Sequence, residues 1–449
     1  MVMPIRRLLL LWLTAALVCC VTLRFCFPRY LDPFVPFHLD HFSYIGMHVK
    51  GYGFGRYFLK YPRPVAHVLI DLCGRMGIRG LLVPLFLLTW LNAALLVLFV
   101  ERVMGFRVAW LSFVFFLAIA YANPEFYWNV KQDPFSVFAF TFLICTFHAW
   151  RSYVETGKRW YLAVVLVLAL LFSFTKESYF LAFGLFFLVQ RRWTAVAMLA
   201  VCATFMGFAL FRASQLWELL RPSTIGTEPY YTSFGATSVW HGFLKIGKYL
   251  AVPAAGGAVV LILIQAARID RRIFAVSLVA VMMGIASLLP NATLPNHLEA
   301  QYCFLGAYFF LTPFLFADRL IPHWWVAGVI VFALALVSYQ KPLHEVAGWL
   351  REQEKITRRM LPELDRIQRE TKAGEHSLIT GATMFYNPFL APEFILYKFG
   401  GERLWTVVVP DSVPEGQQDT VQLMHAADVA RSGFYDHIFG FSADGGLHK

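Results

Sequence analysis

The sequence has few charged residues for its length. Asp, Glu, Lys and Arg together make up 15% of the 449 residues, whereas hydrophobic residues make up 58%. A soluble domain of this size needs a much larger polar surface, so this composition excludes a single soluble globular protein and is typical of a polytopic membrane protein. Acidic residues are also scarce, with 28 against 39 Lys and Arg. In a membrane protein we interpret this excess as a topology signal and predict no nucleic-acid partner.

The sequence also lacks the common motifs of metal and nucleotide sites. Its seven cysteines are scattered, with no CxxC pair. No P-loop, HExxH or GxSxG motif is present, and the predicted cytoplasmic connectors are too short to build a nucleotide site. Cys26 and Cys73 could lie on the same outer side of the membrane, so a disulfide between them stays open.

A series of long apolar segments dominates the sequence. We predict about eleven transmembrane helices, because about 20 apolar residues match the thickness of a bilayer. The shorter segments would need local bilayer thinning. The first segment follows Arg6 and Arg7, and its length favours a retained helix over a cleaved signal peptide. The predicted spans are residues 8–27, 81–100, 108–122, 134–150, 160–174, 178–190, 193–212, 247–266, 273–290, 301–317 and 322–339.

The charges of the connectors predict the orientation. Lys and Arg concentrate in alternate connectors, which the positive-inside rule assigns to the cytoplasm together with the N-terminus. These basic connectors are 101–107, 151–159, 191–192, 267–272 and 318–319. The other connectors and the chain after residue 340 then face outward. Nearly all candidate functional side chains fall on that outward side, so we expect one working site there, in a multi-pass protein of the plasma (inner) membrane.

The first outward loop carries an acid and two arginines of interest. Asp40 lies between histidines in the stretch HLDH, where it could be a catalytic base, a metal ligand with His41, or the N-cap of a surface helix. Arg56 and Arg63 follow in the same loop. Their guanidinium groups are suited to binding a phosphate or a carboxylate.

The second outward loop contributes Glu125 and, where the next span begins, Asp133. Asp-Pro before an apolar segment is a common helix start, so Asp133 as an N-cap is one interpretation. The other is that Asp133 and Asp40, which face the same side, share a metal or divide acid and base duties.

Two further outward turns carry polar side chains. Lys176 and Glu177 interrupt an otherwise apolar hairpin, where charged residues are either functional or exposed in a hydrated turn. Lysine in such a turn can hold a phosphate as a point charge. His297 and Glu299 precede the tenth span, either as a polar helix start or as ligands of a sugar or headgroup.

The composition changes after residue 340. Charged, amphipathic sequence replaces the apolar spans, with hydrophobic residues such as Ile356, Met360 and Leu364 near helical spacing. The segments SLITGATMFYN and LWTVVVP then have the composition of short strands. We predict a soluble outward domain over residues 341–449.

The order of these features resembles the GT-C superfamily of integral-membrane glycosyltransferases. The resemblance rests on an acid in a long first loop (Asp40), an Arg-Pro stretch before the second span (Arg63), an acid heading the fourth span (Asp133), a lysine-bearing turn (Lys176) and a late LPNHLEAQY loop. It covers the layout of most of the membrane part. Many members carry two adjacent acids in the first loop and an arginine in the late loop. Here histidines flank Asp40, and the late loop has Ala300-Gln301-Tyr302 where arginine is often found. These departures leave the donor class and metal dependence open.

The resemblance implies an all-α polytopic membrane domain over residues 1–340 and a small outward α/β domain after it. It implies transfer of a hexosyl or pentosyl group from a polyprenyl-phosphate donor in the membrane to a glycan, lipid or protein acceptor on the outer face. The implied catalytic residues are Asp40 and Asp133. The implied donor-phosphate ligands are Arg56, Arg63 and Lys176. The residues expected to bind acceptor or sugar are Glu125, Glu177, His297 and Glu299. Asp40, His41 and Asp133 are the candidate ligands if a divalent cation takes part.

Two alternatives stay open, and the first of them would share the same sidedness. An outward-facing glycan polymerase or ligase would rely on arginine and histidine rather than on an essential aspartate. A non-enzymatic transporter or scaffold would place charges between helices near the middle of the membrane, and the predicted spans contain few.

Overall fold

A computed structural model describes the protein over residues 6, 9–14, 16–17, 63–74, 77–106, 108–109, 112–113, 134–176, 180–188, 192–212, 233–267, 270–294, 306, 309–310, 312–319, 326, 329–330, 333, 355, 359, 362–363, 365–367, 369–372, 375–380, 404–408, 423–424, 437–441 and 447–448. This part of the chain is mostly helical. The helical character agrees with the prediction of a helical membrane protein.

Eight α-helices and one 3-10 helix have defined bounds in the described ranges. The α-helices are α1 Pro64–Gly74, α2 Gly77–Met104, α3 Pro134–Thr156, α4 Trp160–Ser173, α5 Phe180–Leu188, α6 Trp193–Arg212, α7 Ala236–Ala266 and α8 Arg271–Ala292. The 3-10 helix is Thr312–Arg319. Residues 9–14 are helical as well.

Within the described residues, three segments are long and apolar enough to cross a membrane. They are Val83–Met104, Phe135–Thr156 and Ile273–Ala292, within α2, α3 and α8. At about 1.5 Å per residue, a helix of 22 residues is about 33 Å long, which matches the roughly 30 Å hydrocarbon core of a bilayer. The shorter apolar helices in the described ranges are Pro64–Cys73, Trp160–Ser173, Trp193–Gly207 and Ala255–Ala266. These helices support a membrane protein.

The helices follow the predicted spans closely, with three differences. Each helix from α2 to α8 overlaps one predicted span. Helix α1 lies inside the predicted outward loop 28–80, and α7 begins at Ala236, well before the predicted start at residue 247. The predicted span 301–317 ends in the 3-10 helix Thr312–Arg319.

Helices α3 to α6 pack around an aromatic core. Phe172 stacks on Phe183 with 5.0 Å between ring centroids, and Phe183 meets Phe187 edge to face at 5.0 Å. Small or β-branched residues such as Val165 and Ala169 are fully buried beside them. Lipid chains are as apolar as these side chains, so close van der Waals packing must hold the helices together.

Glycines let α7 approach its neighbours. A Cβ on Gly242 would overlap the carbonyl oxygen of Ala292 at the end of α8, and one on Gly257 would overlap the carbonyl oxygen of Phe310. Gly247, in the same helix, has open space where its Cβ would be. The first two positions therefore require glycine for packing, and the third does not.

Helices α2 and α3 end in the same way. The residues that follow them, Gly105 and Gly157, have positive φ angles of 95° and 68°. Their amides donate hydrogen bonds to the carbonyl oxygens of Glu101 and Tyr153, both at 2.8 Å. This left-handed glycine cap satisfies a helix-end carbonyl and turns the chain away from the helix axis.

The described residues of the C-terminal region form a five-stranded sheet. Its strands are β1 His376–Thr380, β2 Leu404–Val408, β3 Leu423–Met424, β4 His437–Phe441 and β5 Leu447–His448. The order is β3-β2-β1-β4-β5, with parallel neighbours except for the antiparallel β4–β5 pair. Strands β1 and β2 fall in the two segments with strand composition.

A contact between the side chains of Glu375 and His437 lies where β1 and β4 begin. Nε2 of His437 is 3.0 Å from Oε2 of Glu375. The pKa of Glu375 lies below its ordinary value, first because the backbone amide of Lys372 donates to the carboxylate, and then because of His437. The carboxylate thus ties the residue before β1 both to the preceding turn and to β4.

The chain divides into two compact units. One contains Met1–Thr22, Gly55–Ala66 and Leu85–Glu345; the other contains Leu23–Phe54, His67–Pro84 and Val346–Lys449. The division at Glu345 is close to the predicted domain boundary at residue 340. Unlike the predicted C-terminal domain, the second unit also includes segments from the first 84 residues. The free thiol of Cys73 bears on a separate point: Cys73 does not form the disulfide with Cys26 that the sequence left open.

Candidate functional site

Two of the predicted site residues belong to the described part of the chain, Arg63 and Lys176. The others lie outside the described residues, so their roles stay predictions. They are Asp40, His41, Arg56, Glu125, Asp133, Glu177, His297 and Glu299.

Lys176 is buried at the end of the turn that follows α4. Its exposed fraction is 7%, and its Nζ donates a 2.7 Å hydrogen bond to Oγ of Ser136 in the first turn of α3. Its backbone amide donates to the carbonyl oxygen of Phe172 at 3.3 Å, which fixes the turn. The alternative of a hydrated turn is therefore wrong for Lys176. A buried ammonium needs such hydrogen bonds to offset its loss of water.

Arg63 approaches the same helix turn from another part of the sequence. Its guanidinium carbon lies 5.2 Å from the ring centroid of Phe135, the residue before Ser136. A guanidinium over an aromatic face is attracted by the negative charge density of the ring. Just after Arg63, the amide of Val65 donates a 3.2 Å hydrogen bond to the carbonyl oxygen of Phe174. That bond joins the start of α1 to the turn that holds Lys176.

The start of α3 therefore collects positive charge. Two cationic side chains contact consecutive residues, Phe135 and Ser136, in its first turn. A helix N-terminus carries about half a positive charge and leaves backbone N–H groups without helical partners. Two cations beside such a terminus form a setting that favours an anion, and a phosphate suits both a guanidinium and an ammonium. We call Arg63, Lys176 and the first turn of α3 the cationic turn.

Asp133 directly precedes the cationic turn in the sequence. Asp133 lies outside the described residues, so its role beside the cationic turn stays a prediction. Within the described ranges, no group of three or more His, Cys, Asp or Glu side chains could hold a metal ion. Those ranges do not include the candidate ligands Asp40, His41 and Asp133. Binding of a divalent cation by these three residues stays a prediction.

The other end of α3 carries an ion-pair cluster of different character. Glu155 accepts hydrogen bonds from Arg102 of α2, at 2.5 Å from Nη2 and 3.0 Å from Nε, and from Arg151 at 2.7 Å. Arg102 also donates to Oγ of Ser152 at 3.0 Å. Here one carboxylate holds two arginines, and the contacts link α2 to α3.

Buried polar contacts between α2 and α3 fix the helix that carries the cationic turn. Nδ2 of Asn92 donates to the carbonyl oxygen of Val137 at 3.1 Å, one residue beyond Ser136. Nearer the other end, Nε2 of His148 lies 2.8 Å from the carbonyl oxygen of Leu95. Polar side chains that bridge helices resist sliding and rotation of one helix on the other.

Phe135 and Ser136 were not among the site residues predicted from the sequence. Both follow Asp133 closely in the stretch KQDPFSVF, so their position beside a predicted site residue was a signal. A hydroxyl in the first turn after Asp-Pro can accept a hydrogen bond from a nearby lysine. The sequence alone gave no reason to pair it with Lys176, which is 40 residues away.

Comparison with known proteins gives no assignment. No protein-family model matches the chain, and no curated protein matches it significantly. The function must therefore be inferred from the residues and their geometry.

Proposed function

We propose that this protein is an integral-membrane glycosyltransferase of the GT-C type. It transfers a sugar from a polyprenyl-phosphate donor to an acceptor on the extracytoplasmic face of the plasma (inner) membrane. In this proposal about eleven helices span the bilayer, the N-terminus is cytoplasmic, and an α/β domain after residue 340 faces outward. The apolar helices support the membrane setting.

The observation that carries the proposal is the cationic turn. A lipid-linked sugar presents one phosphate near the membrane surface, and that phosphate becomes the leaving group. Lys176 is buried and Arg63 is half-buried, and the two side chains contact consecutive residues at the head of one membrane-spanning helix. Cations that are fixed before the reaction stabilise charge that develops on a leaving phosphate.

The proposed reaction is a displacement at the anomeric carbon. Asp40 accepts the proton of the acceptor hydroxyl, whose oxygen forms the new bond to carbon. The bond between that carbon and the phosphate oxygen breaks, and the electron pair leaves on the phosphate. Arg63 and Lys176, with Arg56, hold the phosphate as its charge increases.

The remaining predicted residues take supporting roles in the proposal. Asp133 orients the acceptor or holds a divalent cation beside the cationic turn. The residues proposed to contact acceptor or sugar are Glu125, Glu177, His297 and Glu299. The acceptor is a glycan, a lipid or a protein.

Contacts between connectors support the proposed sidedness. The loop containing Arg63 and the turn containing Lys176 are both assigned outward, and both meet the start of α3. The connectors 101–107 and 151–159 are both assigned inward, and Arg102 of the first meets Glu155 of the second. Each set of contacts joins connectors of the same predicted side, at opposite ends of one helix of membrane length.

Replacing Lys176 with Gln tests the proposal. The purified full-length protein would be assayed for sugar transfer from a panel of radiolabelled polyprenyl-phosphate sugars. We expect the wild type to use at least one donor and Lys176→Gln to lower the rate about 100-fold, the effect of removing one fixed charge from a leaving group.

Lys355→Gln is the matched control. Lys355 is an exposed lysine in the C-terminal region, outside the cationic turn, so its loss should leave transfer unchanged. Full activity of Lys176→Gln would show that the lysine only fixes the turn. A wild type that uses no donor in the panel would contradict glycosyl transfer from lipid phosphates.

A further inference from the structure

Two helices begin with the same combination of residues. Helix α4 follows Lys158 and Arg159 and starts with Trp160, and α6 follows Arg192 and starts with Trp193. The sequence reads KRW at the first position and RRW at the second. The two helix starts lie at one end of the helix bundle that contains the aromatic core.

Their common position follows from helix packing. The first start comes directly after the glycine turn that ends α3 at Thr156. The second comes a few residues after Phe187 of α5, whose ring meets Trp150 of α3 edge to face at 5.1 Å. Since Trp150 lies near the C-terminal end of α3, both starts lie close to that end. Because the segment Phe135–Thr156 has the length of a membrane span, its end is at the level of the lipid headgroups.

The basic and aromatic side chains at these starts face away from the protein. Trp193 is 88% exposed, and Trp160 is 56% exposed and stacks on Tyr161 at 3.7 Å. Lys158, Arg159 and Arg192 are exposed. They make no side-chain ion pair within the described part of the chain, which distinguishes them from Arg102 and Arg151 nearby, both bound to Glu155.

This combination suits a specific partner. Exposed tryptophans favour the boundary between headgroups and acyl chains, because the ring is apolar and its N–H is polar. Exposed cations at the same level attract anionic headgroups, whereas a neutral zwitterionic lipid gains little from them. A soluble anion would be attracted by the cations but would not need the exposed rings.

We propose that Lys158, Arg159, Trp160, Arg192 and Trp193 form a binding surface for anionic phospholipid headgroups. The proposal requires only that the protein spans a membrane, and it does not depend on glycosyl transfer. Its ligand lies at the opposite end of α3 from the cationic turn, so the two sites are tested separately.

Lipid selectivity measures the proposed binding. The full-length protein would be reconstituted in phosphatidylcholine bilayers with spin-labelled phosphatidylglycerol or spin-labelled phosphatidylcholine. Electron paramagnetic resonance then gives the fraction of each lipid that the protein immobilises. We expect the wild type to favour phosphatidylglycerol about threefold or more at low salt, and the preference to weaken at about 0.5 M salt.

The decisive variant is Lys158→Gln/Arg159→Gln/Arg192→Gln, for which the preference should fall close to one. The control variant Lys355→Gln/Arg369→Gln/Lys372→Gln removes the same charge from exposed positions in the C-terminal region and should keep the wild-type preference. The exchange Lys158→Arg/Arg159→Lys/Arg192→Lys preserves the charge and should also keep it.

Several outcomes would overturn the proposal. One is a wild type without preference, and another is an unchanged preference in the decisive variant. A control that loses as much as the decisive variant would assign the effect to net charge alone. Loss of the bound lipid on addition of inorganic phosphate would identify a site for free phosphate instead.

Discussion

Cationic side chains lie at both ends of helix α3, but they contact different groups there. At its C-terminal end, Arg102 and Arg151 bind the carboxylate of Glu155. At its N-terminal end, Arg63 contacts the ring of Phe135 and Lys176 donates to the hydroxyl of Ser136. One end thus contains a charge pair, and the contacts described at the other are with an aromatic face and a neutral oxygen.

The difference shows how the surroundings of a cation determine what it can do. A carboxylate that accepts from two arginines satisfies their donors and cancels part of their charge, which favours a structural role. A ring face and a hydroxyl are uncharged partners, and the helix N-terminus contributes a further partial positive charge. One end of α3 thus carries an arginine–carboxylate cluster, and the proposed anion-binding role belongs to the other end.

The largest contrast is expected between Arg63→Gln and Arg151→Gln. Arg63 belongs to the cationic turn, so Arg63→Gln should lower sugar transfer about 30-fold or more through weaker stabilisation of the leaving phosphate. Arg151→Gln removes an arginine from the paired end. The rate should stay within about twofold of the wild type, because Arg151 lies near the opposite end of α3 from the cationic turn. The measurement is the initial rate of transfer with purified protein.

Melting temperatures of both variants in the same detergent separate folding from catalysis. Equal losses of the transfer rate in Arg63→Gln and Arg151→Gln would contradict a functional difference between the two ends of α3. A large loss of stability in Arg63→Gln alone would assign the ring contact to folding.

Glu155→Gln tests the paired end directly. The change leaves Arg102 and Arg151 side by side without a carboxylate. Because both ion pairs are partly exposed, we expect the free energy of unfolding to fall by about 1–2 kcal/mol. Reversible unfolding in mixed micelles measures it. Sugar transfer by the folded variant should be unchanged.

The double variant Glu155→Gln/Arg102→Gln provides the control. It removes the uncompensated charge and should recover part of the lost stability. A Glu155→Gln protein as stable as the wild type would mean that water compensates the arginines fully.

The glycine that follows the paired end should have a smaller effect. Gly157 has φ 68° and open space around the position of a Cβ, so Gly157→Ala introduces backbone strain and no clash. We expect a loss of about 1 kcal/mol in unfolding free energy. Gly247→Ala is the matched control, because it also enters open space but in a helix interior, where alanine is neutral or stabilising. A loss equal in both variants would contradict the strain argument.

Much of the fold could be predicted from the sequence. Long apolar segments identify helices because a bilayer demands them, and α2 to α8 each overlap a predicted span. The strand composition at LWTVVVP likewise anticipates β2. Helix α1 was missed because its apolar residues, PVAHVLIDLCG, are too few for a span and lie in a long loop.

The site could be predicted in part. The cost of a charge in an apolar hairpin predicts a functional or paired Lys176, and the burial of Lys176 agrees with that reasoning. Its hydrogen bond to Ser136 and the ring contact of Arg63 depend on which helices pack together. That information is contained in side-chain packing, for which the periodicity of a single sequence gives no signal. The roles of Asp40 and Asp133 stay predictions.

The smallest expected effect, for Ser136→Ala, decides how the cationic turn works. The change removes the hydroxyl that accepts from Lys176 at 2.7 Å and leaves the charge of the lysine in place. If the charge itself stabilises the leaving phosphate, the rate should fall only about 2- to 10-fold, the effect of one neutral hydrogen bond that positions the ammonium. Ser136→Thr keeps an acceptor and should stay near the wild-type rate. If Ser136→Ala lowers the rate as much as Lys176→Gln does, the position of the ammonium matters as much as its charge. The start of α3 would then act mainly by holding Lys176 in place, rather than by its electrostatic potential.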